Sequence, residues 1–187
     1  MSHPLPNACF RSATLEDVDR VVLLVESAYR GEKSRAGWTT EADMLEGQRT
    51  DAREVREIIE AFPNKRVLLL EEEGHLRACA RLDDAKGHAY LGMIAVDPTL
   101  QAKGYGRAII AEAERIARTE LCHDAVQMTV ISIRDALLSW YERLGYRRTG
   151  ATEPFPYGDP RFGVPKRDDL IFLVLEKRLR EEAEQGR

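Results

Sequence analysis

The sequence predicts an α/β protein of the α+β kind, built on a mixed, mostly antiparallel sheet of six to seven strands flanked by helices on both faces. Three observations carry this expectation. Residues 66–96 read as three strands separated only by tight turns, which is an antiparallel meander. Residues 88–96, 107–119 and 125–131 read as strand, helix, strand. Such a βαβ unit requires a parallel pair and a right-handed crossover. Apolar residues also recur at helical spacing before and after this block, and amphipathic helices need a sheet to cover.

Taken in order, residues 8–11 form a short strand. Thr14 and Asp17 have the spacing of a helix start, and Val18, Val21, Val22, Val25 and Ala28 follow on one helical face. Residues 29–40 are polar, contain Gly31 and Gly37, and read as a loop. A short helix is expected over 41–47. Asp51 caps another, with Val55, Ile58, Ile59 and Phe62 on one face, stopped by Pro63-Asn64. The meander follows, with turns at Glu73-Gly74 and 83–87. After the βαβ unit, residues 134–144 are helical up to Gly145, which suits the C′ position. Short strands close the chain at 146–149 and 170–175. One domain is expected over 8–176, with a charged tail over 177–187.

Composition narrows the function classes. The chain has 187 residues, 43% of them hydrophobic and 32% charged, so it can bury a core. Its net charge of -4 does not favour a nucleic-acid partner, which attracts excess positive charge. Cys9, Cys79 and Cys122 are widely spaced and match no metal or redox motif, so no metal is expected. The first residues show no secretory pattern and no apolar run is long enough to span a bilayer. The expectation is a cytoplasmic protein without a membrane partner, and a homodimer is an open alternative to a monomer.

The informative segment is the strand end and loop through Val96-Asp-Pro-Thr-Leu-Gln101-Ala102-Lys103-Gly104-Tyr105-Gly106-Arg107. A strand leaves, two glycines follow, and a helix begins at once. Unsatisfied backbone N–H groups at a helix start, together with the helix dipole, attract an anion. Glycines allow close approach of a ligand and positive φ. Lys103 and Arg107 add charge, which suits a pyrophosphate. The segment lacks both the GxxxxGK[ST] of a P-loop and the third glycine of a dinucleotide fingerprint, where Ile109 stands.

Val-Asp-Pro, then Gln101-x-x-Gly104-x-Gly106 and an Ala- and Ile-rich helix, resembles the acetyl-CoA signature of the GCN5-related N-acetyltransferase (GNAT) family. Trp140-Tyr-Glu-Arg-Leu-Gly-Tyr146 resembles that family's late helix, and the resemblance runs from about Phe10 to Leu175. It implies acetyl-CoA as co-substrate, with the pantetheine arm against the backbone of Ile94, Ala95 and Val96. The N–H of Ile94 then faces the thioester carbonyl. The backbone of Gln101, Ala102, Lys103, Gly104, Tyr105, Gly106 and Arg107 holds the pyrophosphate. Tyr141 matches the family's tyrosine that protonates the departing thiolate, and an unperturbed phenol is protonated at neutral pH. Arg134 stands where the family often has Asn, Leu137 where it has a small residue, and Tyr90 where some members carry a glutamate base. The base remains open between Glu41, Asp43 and a water chain.

Segments 29–51 and 153–165 fall where the family builds its acceptor pocket. Trp38, Arg49, Tyr157 and Asp159 are the candidate substrate residues, with Asp159 alternatively a cap on the turn before Pro160. The implied reaction is acetyl transfer to a primary amine of a small or amino-acid-like acceptor, by direct attack in a ternary complex. Two alternatives stand beside it: a non-catalytic acyl-CoA sensor of the same fold, and a protein or peptide N-acetyltransferase. The acceptor and the acyl chain length are not legible.

Overall fold

A computed structural model describes Leu5 and residues 7–179. Nine strands and five helices run in the order β1 (Ala8–Ser12), α1 (Val18–Tyr29), α2 (Gly31–Ser34), β2 (Leu45–Glu46), α3 (Ala52–Glu60), β3 (Lys65–Glu72), β4 (His75–Ala85), β5 (His88–Val96), α4 (Tyr105–Thr119), β6 (Ala125–Ile131), α5 (Asp135–Arg143), β7 (Arg147–Pro154), β8 (Val164–Pro165) and β9 (Ile171–Arg178). Seven strands form one sheet in the order β1-β3-β4-β5-β6-β9-β7, and β2 pairs with β8 in a separate ribbon. Only β5 and β6 run parallel; every other pair is antiparallel. The predicted mixed sheet with helices on both faces is the observed one.

The run Val67-Leu68-Leu69-Leu70 shows why both faces need covering. Val67 and Leu69 pack with Val21 and Val25 of α1 and with Val55 and Ile58 of α3. Leu68 and Leu70 pack on the other side with Ile109, Ile110 and Ala113 of α4 and Leu138 of α5. A strand apolar at every position is what a sheet sandwiched between helices demands. Asp51 caps α3 as expected, its Oδ1 accepting from the Glu54 N–H at 2.7 Å.

Three expectations are corrected. Residues 41–47 do not form a helix. The Glu41 carbonyl accepts from the N–H groups of Met44 and Leu45, one turn only, and Leu45 then pairs with Pro165 and buries itself beside Ile131, Phe155 and Leu170. Tertiary burial of Leu45 outweighs the local preference for helix. The strand expected at 146–149 is β7, which continues to Pro154. All of its residues are exposed, because it is an edge strand, so no apolar alternation marks it. The last strand extends past Leu175 to Arg178, in the interior of the sheet. Its charged residues are paired there: Lys177 with Glu114 at 2.7 Å and Arg178 with Glu176 at 2.9 Å. The rest of the expected tail, from residue 180, lies outside the described residues.

The Thr14–Asp17 spacing acquires a second role. Asp17 is buried and accepts from the Thr14 N–H at 2.9 Å. It also receives both terminal nitrogens of Arg11, at 2.7 and 2.8 Å, while Arg11 reaches Glu71 with its Nε at 2.8 Å. One guanidinium thus joins β1, the start of α1 and β3. Its hydrogen bonds hold the Asp17 carboxyl well below the usual carboxylate range, against the opposing effect of burial. A depressed folded-state pKa stabilises the fold above the unfolded value, near 3.8, and that contribution is lost as pH falls through the folded value. Asp17→Asn should therefore lower stability at neutral pH by roughly 1.5–3 kcal/mol, the scale of a hydrogen bond to a buried charged group. Urea unfolding at a series of pH values checks this, with the gap to wild type narrowing below about pH 4.

Candidate active site

The site begins where two strands stop pairing. β5 and β6 share only the pairs Ala89↔Val126 and Tyr90↔Gln127, although both strands continue well beyond them. On its other side, β5 meets β4 through Arg81↔Gly92 and Cys79↔Ala95. Three steps of β5 therefore face two of β4, which is a β-bulge, and Met93 takes a φ of 48° within it. The extra residue changes which way the side chains point. Ala89 and Leu91 lie in the α4 core, Met93 and Ala95 in the α1 core, and Ile94 and Val96 return to the α4 side.

Two cavities open in the resulting gap. The larger, about 600 Å³, is lined by Val96, Gln101, Ala102, Gly104, Gly106 and Arg107 together with Trp38 and Trp140. The smaller, about 230 Å³, lies between β5 and β6 and takes in Arg30, Glu41, Arg49, Thr129 and Phe155. Tyr29, Ile94, Arg134, Leu137 and Tyr141 line both, so the two cavities meet at these five residues.

The larger cavity has the features of an anion cradle at one end. Gly104 sits at the N-cap of α4 with φ 98°, and no side chain caps the helix. Ala102 also has a positive φ, 66°. A Cβ on Gly104 would meet no atom within 4 Å, which leaves the first N–H groups of α4 open to a ligand. A Cβ on Gly106 would come within 3.3 Å of the Trp140 ring, so glycine there lets the aromatic wall close in. These residues fit a pyrophosphate, and the Trp140 and Trp38 rings, 5.8 Å apart, give the cleft an apolar wall.

Not every expected residue does what its position suggested. The Gln101 side chain is a staple: its Oε1 accepts from the Trp38 N–H at 2.8 Å and its Nε2 donates to Thr39 Oγ1 at 2.7 Å. Trp38, expected against the acceptor, lines the larger cavity instead. Tyr105 turns its ring into the core and donates to Glu72 at 2.6 Å, and the Ala95 side chain is buried on the α1 face. Both are available to a ligand through backbone alone. Lys103 is exposed and lines neither cavity. Arg49 lines the smaller cavity, as expected for a substrate residue. Tyr157 and Asp159 line neither. The Tyr157 hydroxyl accepts from the Leu170 N–H at 2.7 Å, and Asp159 accepts from the Arg161 N–H at 3.1 Å and from its Nε at 2.9 Å. Asp159 is thus the cap of its turn.

Sequence reasoning missed Tyr29 and Arg30. Tyr29 lies four residues past Val25 on the apolar stripe of α1, a position that reads as plain core. Its hydroxyl donates to the Ile94 carbonyl, which fixes the bulge, and burial pushes its pKa up to about 12. Arg134, unexplained in the sequence, donates to Glu41 Oε1 at 2.9 Å and to the Thr39 carbonyl. Arg30 holds the other oxygen of Glu41. Burial raises the Glu41 pKa, but Arg134, Arg30 and Arg49 outweigh it and keep the carboxylate below its ordinary range. A carboxylate so held is a poor base. Asp43 is exposed, bound to Arg35 at 3.0 Å, and lines neither cavity. Tyr141 is buried at the junction, and burial chiefly drives its pKa up, so it stays a phenol able to donate.

The helix-start cradle stands where the sequence resemblance places the pyrophosphate of an acyl-CoA. The sequence profile of the Acetyltransferase (GNAT) family matches residues 35–146, and the chain belongs to that family. A tRNA uridine(34) acetyltransferase of Methanocaldococcus jannaschii is 44% identical over 54 residues, which are 28% of this chain and 9% of that protein. Among solved structures, yncA from Salmonella typhimurium, described with its cofactor acetyl-CoA, superposes with a TM-score of 0.68 at 20% identity, over 96% of this chain and 98% of that one. A candidate phosphinothricin N-acetyltransferase gives 0.66 at 18% identity, over 93% and 99%. At these identities the likeness is one of fold. Among the described residues, no helix is long and apolar enough to cross a membrane.

Gly104→Asp should weaken acetyl-CoA binding by at least about tenfold, since it sets a negative charge in the cradle. Gly104→Asn, which also tolerates positive φ and carries no charge, should weaken it less. Calorimetry on both folded variants checks the order.

Proposed function

We propose that this enzyme moves an acetyl group from acetyl-CoA to a primary amine of a small, amino-acid-like acceptor, by direct attack in a ternary complex. The observation that carries the reading is the junction. A cleft with an anion cradle at one end and a smaller cavity that carries three arginines meet at Ile94 and Tyr141. The donor occupies the cleft with its thioester at the junction, and the acceptor amine reaches that point from the smaller cavity. At about 230 Å³ that cavity lies below the roughly 300 Å³ where pockets for drug-sized ligands begin, which suits a molecule the size of an amino acid. Segments 29–51 and 153–165, joined by the β2–β8 ribbon, both contribute to its lining.

The proton balance is simple. The ammonium releases one proton to water, and the neutral nitrogen attacks the thioester carbonyl carbon. The carbon–nitrogen bond forms and the carbon–sulfur bond breaks. Tyr141 gives its proton to the departing sulfur and recovers one from the former amine through solvent. In this reading the Ile94 N–H stabilises charge on the carbonyl oxygen, a role supported by the bond from Tyr29 to the Ile94 carbonyl, which ties down the neighbouring peptide. With Glu41 bound by two arginines, deprotonation of the amine falls to water. The unpaired thiols of Cys9, Cys79 and Cys122 agree with a reducing, cytoplasmic setting.

Tyr141→Phe removes one hydroxyl and little volume. It should lower kcat roughly 10²-fold with acetyl-CoA affinity nearly unchanged. Thiol release over a panel of amines, with acetyl-CoA binding measured alongside, checks this. Activity within about twofold of wild type takes Tyr141 out of the mechanism. Tight CoA binding with no amine consumed by the wild type would mark a sensor instead.

A further inference from the structure

The smaller cavity has an excess of positive charge that the chain itself does not answer. Arg30, Arg49 and Arg134 all line it. Glu41 is the buried carboxylate among them, and both its oxygens are taken, by Arg30 and Arg134. The other lining carboxylate, Glu153, is exposed on edge strand β7. Among the described residues Arg49 makes no ion pair: its guanidinium lies over the Tyr29 ring, 5.4 Å from the centroid, while its backbone N–H donates to Glu26. Burial disfavours the Arg49 charge, yet the field of Glu41 more than compensates and the group stays cationic. Arg30 is 7% exposed, and its Nε and Nη2 are buried without a hydrogen-bond partner among the described residues.

Arg49 is thus the cationic group of this lining that no carboxylate of the described residues pairs, and a guanidinium is shaped to hold a carboxylate through two parallel hydrogen bonds. We propose that the acceptor carries a carboxylate, received by Arg49, so that the substrate class is a free amino acid or a close amino-carboxylate analogue. The inference rests on the acetyltransferase reading above and adds the class of its acceptor. It gives the buried charge a partner only in the ternary complex. It also orients the acceptor, with its carboxylate at Arg49 and its amine left to face the junction at Tyr141 and Ile94. Plain amines and diamines would leave the same guanidinium unmet, so they should be poor acceptors.

The test compares matched acceptors: free amino acids, their carboxamides and the corresponding decarboxylated amines, with wild type, Arg49→Lys and Arg49→Met. In wild type, kcat/KM for the acids should exceed that for the amides by at least about tenfold, the scale of one charge-assisted hydrogen bond. Arg49→Met should reduce that ratio to within about threefold while the KM for acetyl-CoA holds. Arg49→Lys, which keeps the charge and loses the fork, should fall between them. A second arm needs no turnover: with CoA bound, N-acetyl amino acids should raise the Tm of wild type and not of Arg49→Met, and N-acetyl amides should raise neither. Equal use of acids and amides by wild type, or a preference that survives Arg49→Met, overturns the carboxylate site and leaves the acetyltransferase standing. If no amine is consumed at all, the acetyltransferase reading fails separately. The Tm arm then decides the carboxylate site, and no shift from the N-acetyl acids overturns it.

Discussion

The parting of β5 from β6 is the constraint on which the site depends. Backbone groups inside a sheet must find partners, and a parallel pair that stops after two registers leaves strand edges facing each other with nothing between. The protein answers part of this itself: the Tyr29 hydroxyl takes the Ile94 carbonyl, and the bulge at Met93 swings the following residues to the other face. What remains is a gap walled by backbone on one side and by helix α5 on the other. An extended arm can enter such a gap and pair as a strand would. Had the two strands stayed paired to Val96 and Ile131, Tyr141 would pack against a continuous sheet, with no space for a thioester beside it.

A second constraint holds the acceptor side to the donor side. Residues 37–41 contain no helix or strand, yet they lie between the two cavities and are tied down from both. Gln101, in the anion-binding loop, grips Trp38 and Thr39. Arg134, at the start of α5, grips Thr39 and Glu41. A Cβ on Gly37 would sit 2.6 Å from the Gln101 side chain, so the close approach of the two loops requires glycine there. The loop of Gln101, residues 37–41 and the start of α5 are thereby tied into one unit. Glu41 belongs to this scaffold. Flanked by arginines on each side, it serves as a fixed counter-charge, which is why a residue that looked like a candidate base turns out to be structural.

The elements that sequence reasoning read well share a physical cause. Strands β3, β4, β5 and β6 and helices α1, α3, α4 and α5 carry apolar residues at the period of their structure, because each buries at least one face. The anion loop was legible because its glycines are there for backbone reasons, and backbone requirements leave a local signature. Edge strand β7 has no buried face and left no pattern. The two-residue ribbon of β2 and β8 is a purely long-range pairing, joining Leu45 to Pro165, and no window of sequence contains both. The same ribbon explains why Glu41–Gly47 read as helix and is not. Asp159 looked like a substrate anchor because a stiff loop displays it; in place, Arg161 and the turn consume its hydrogen-bonding capacity.

These differences trace to how the two halves of the site are made. The larger cavity is built in large part on backbone, with the bulge and the helix start both within residues 92–107 and Trp38 and Trp140 as its wall. The acceptor half is side chain: Arg30 at the end of α1, Arg49 before α3, Thr129 on β6, Arg134 before α5 and Phe155 after β7. Five distant stretches of chain supply it, so its chemistry cannot be read from any one of them. This division lets one scaffold keep its acyl donor while exchanging its acceptor, since replacing an arginine at the rim of the cavity leaves the bulge and the cradle untouched. The proposed carboxylate at Arg49 follows from that division, since its guanidinium lines the cavity without an ion pair among the described residues.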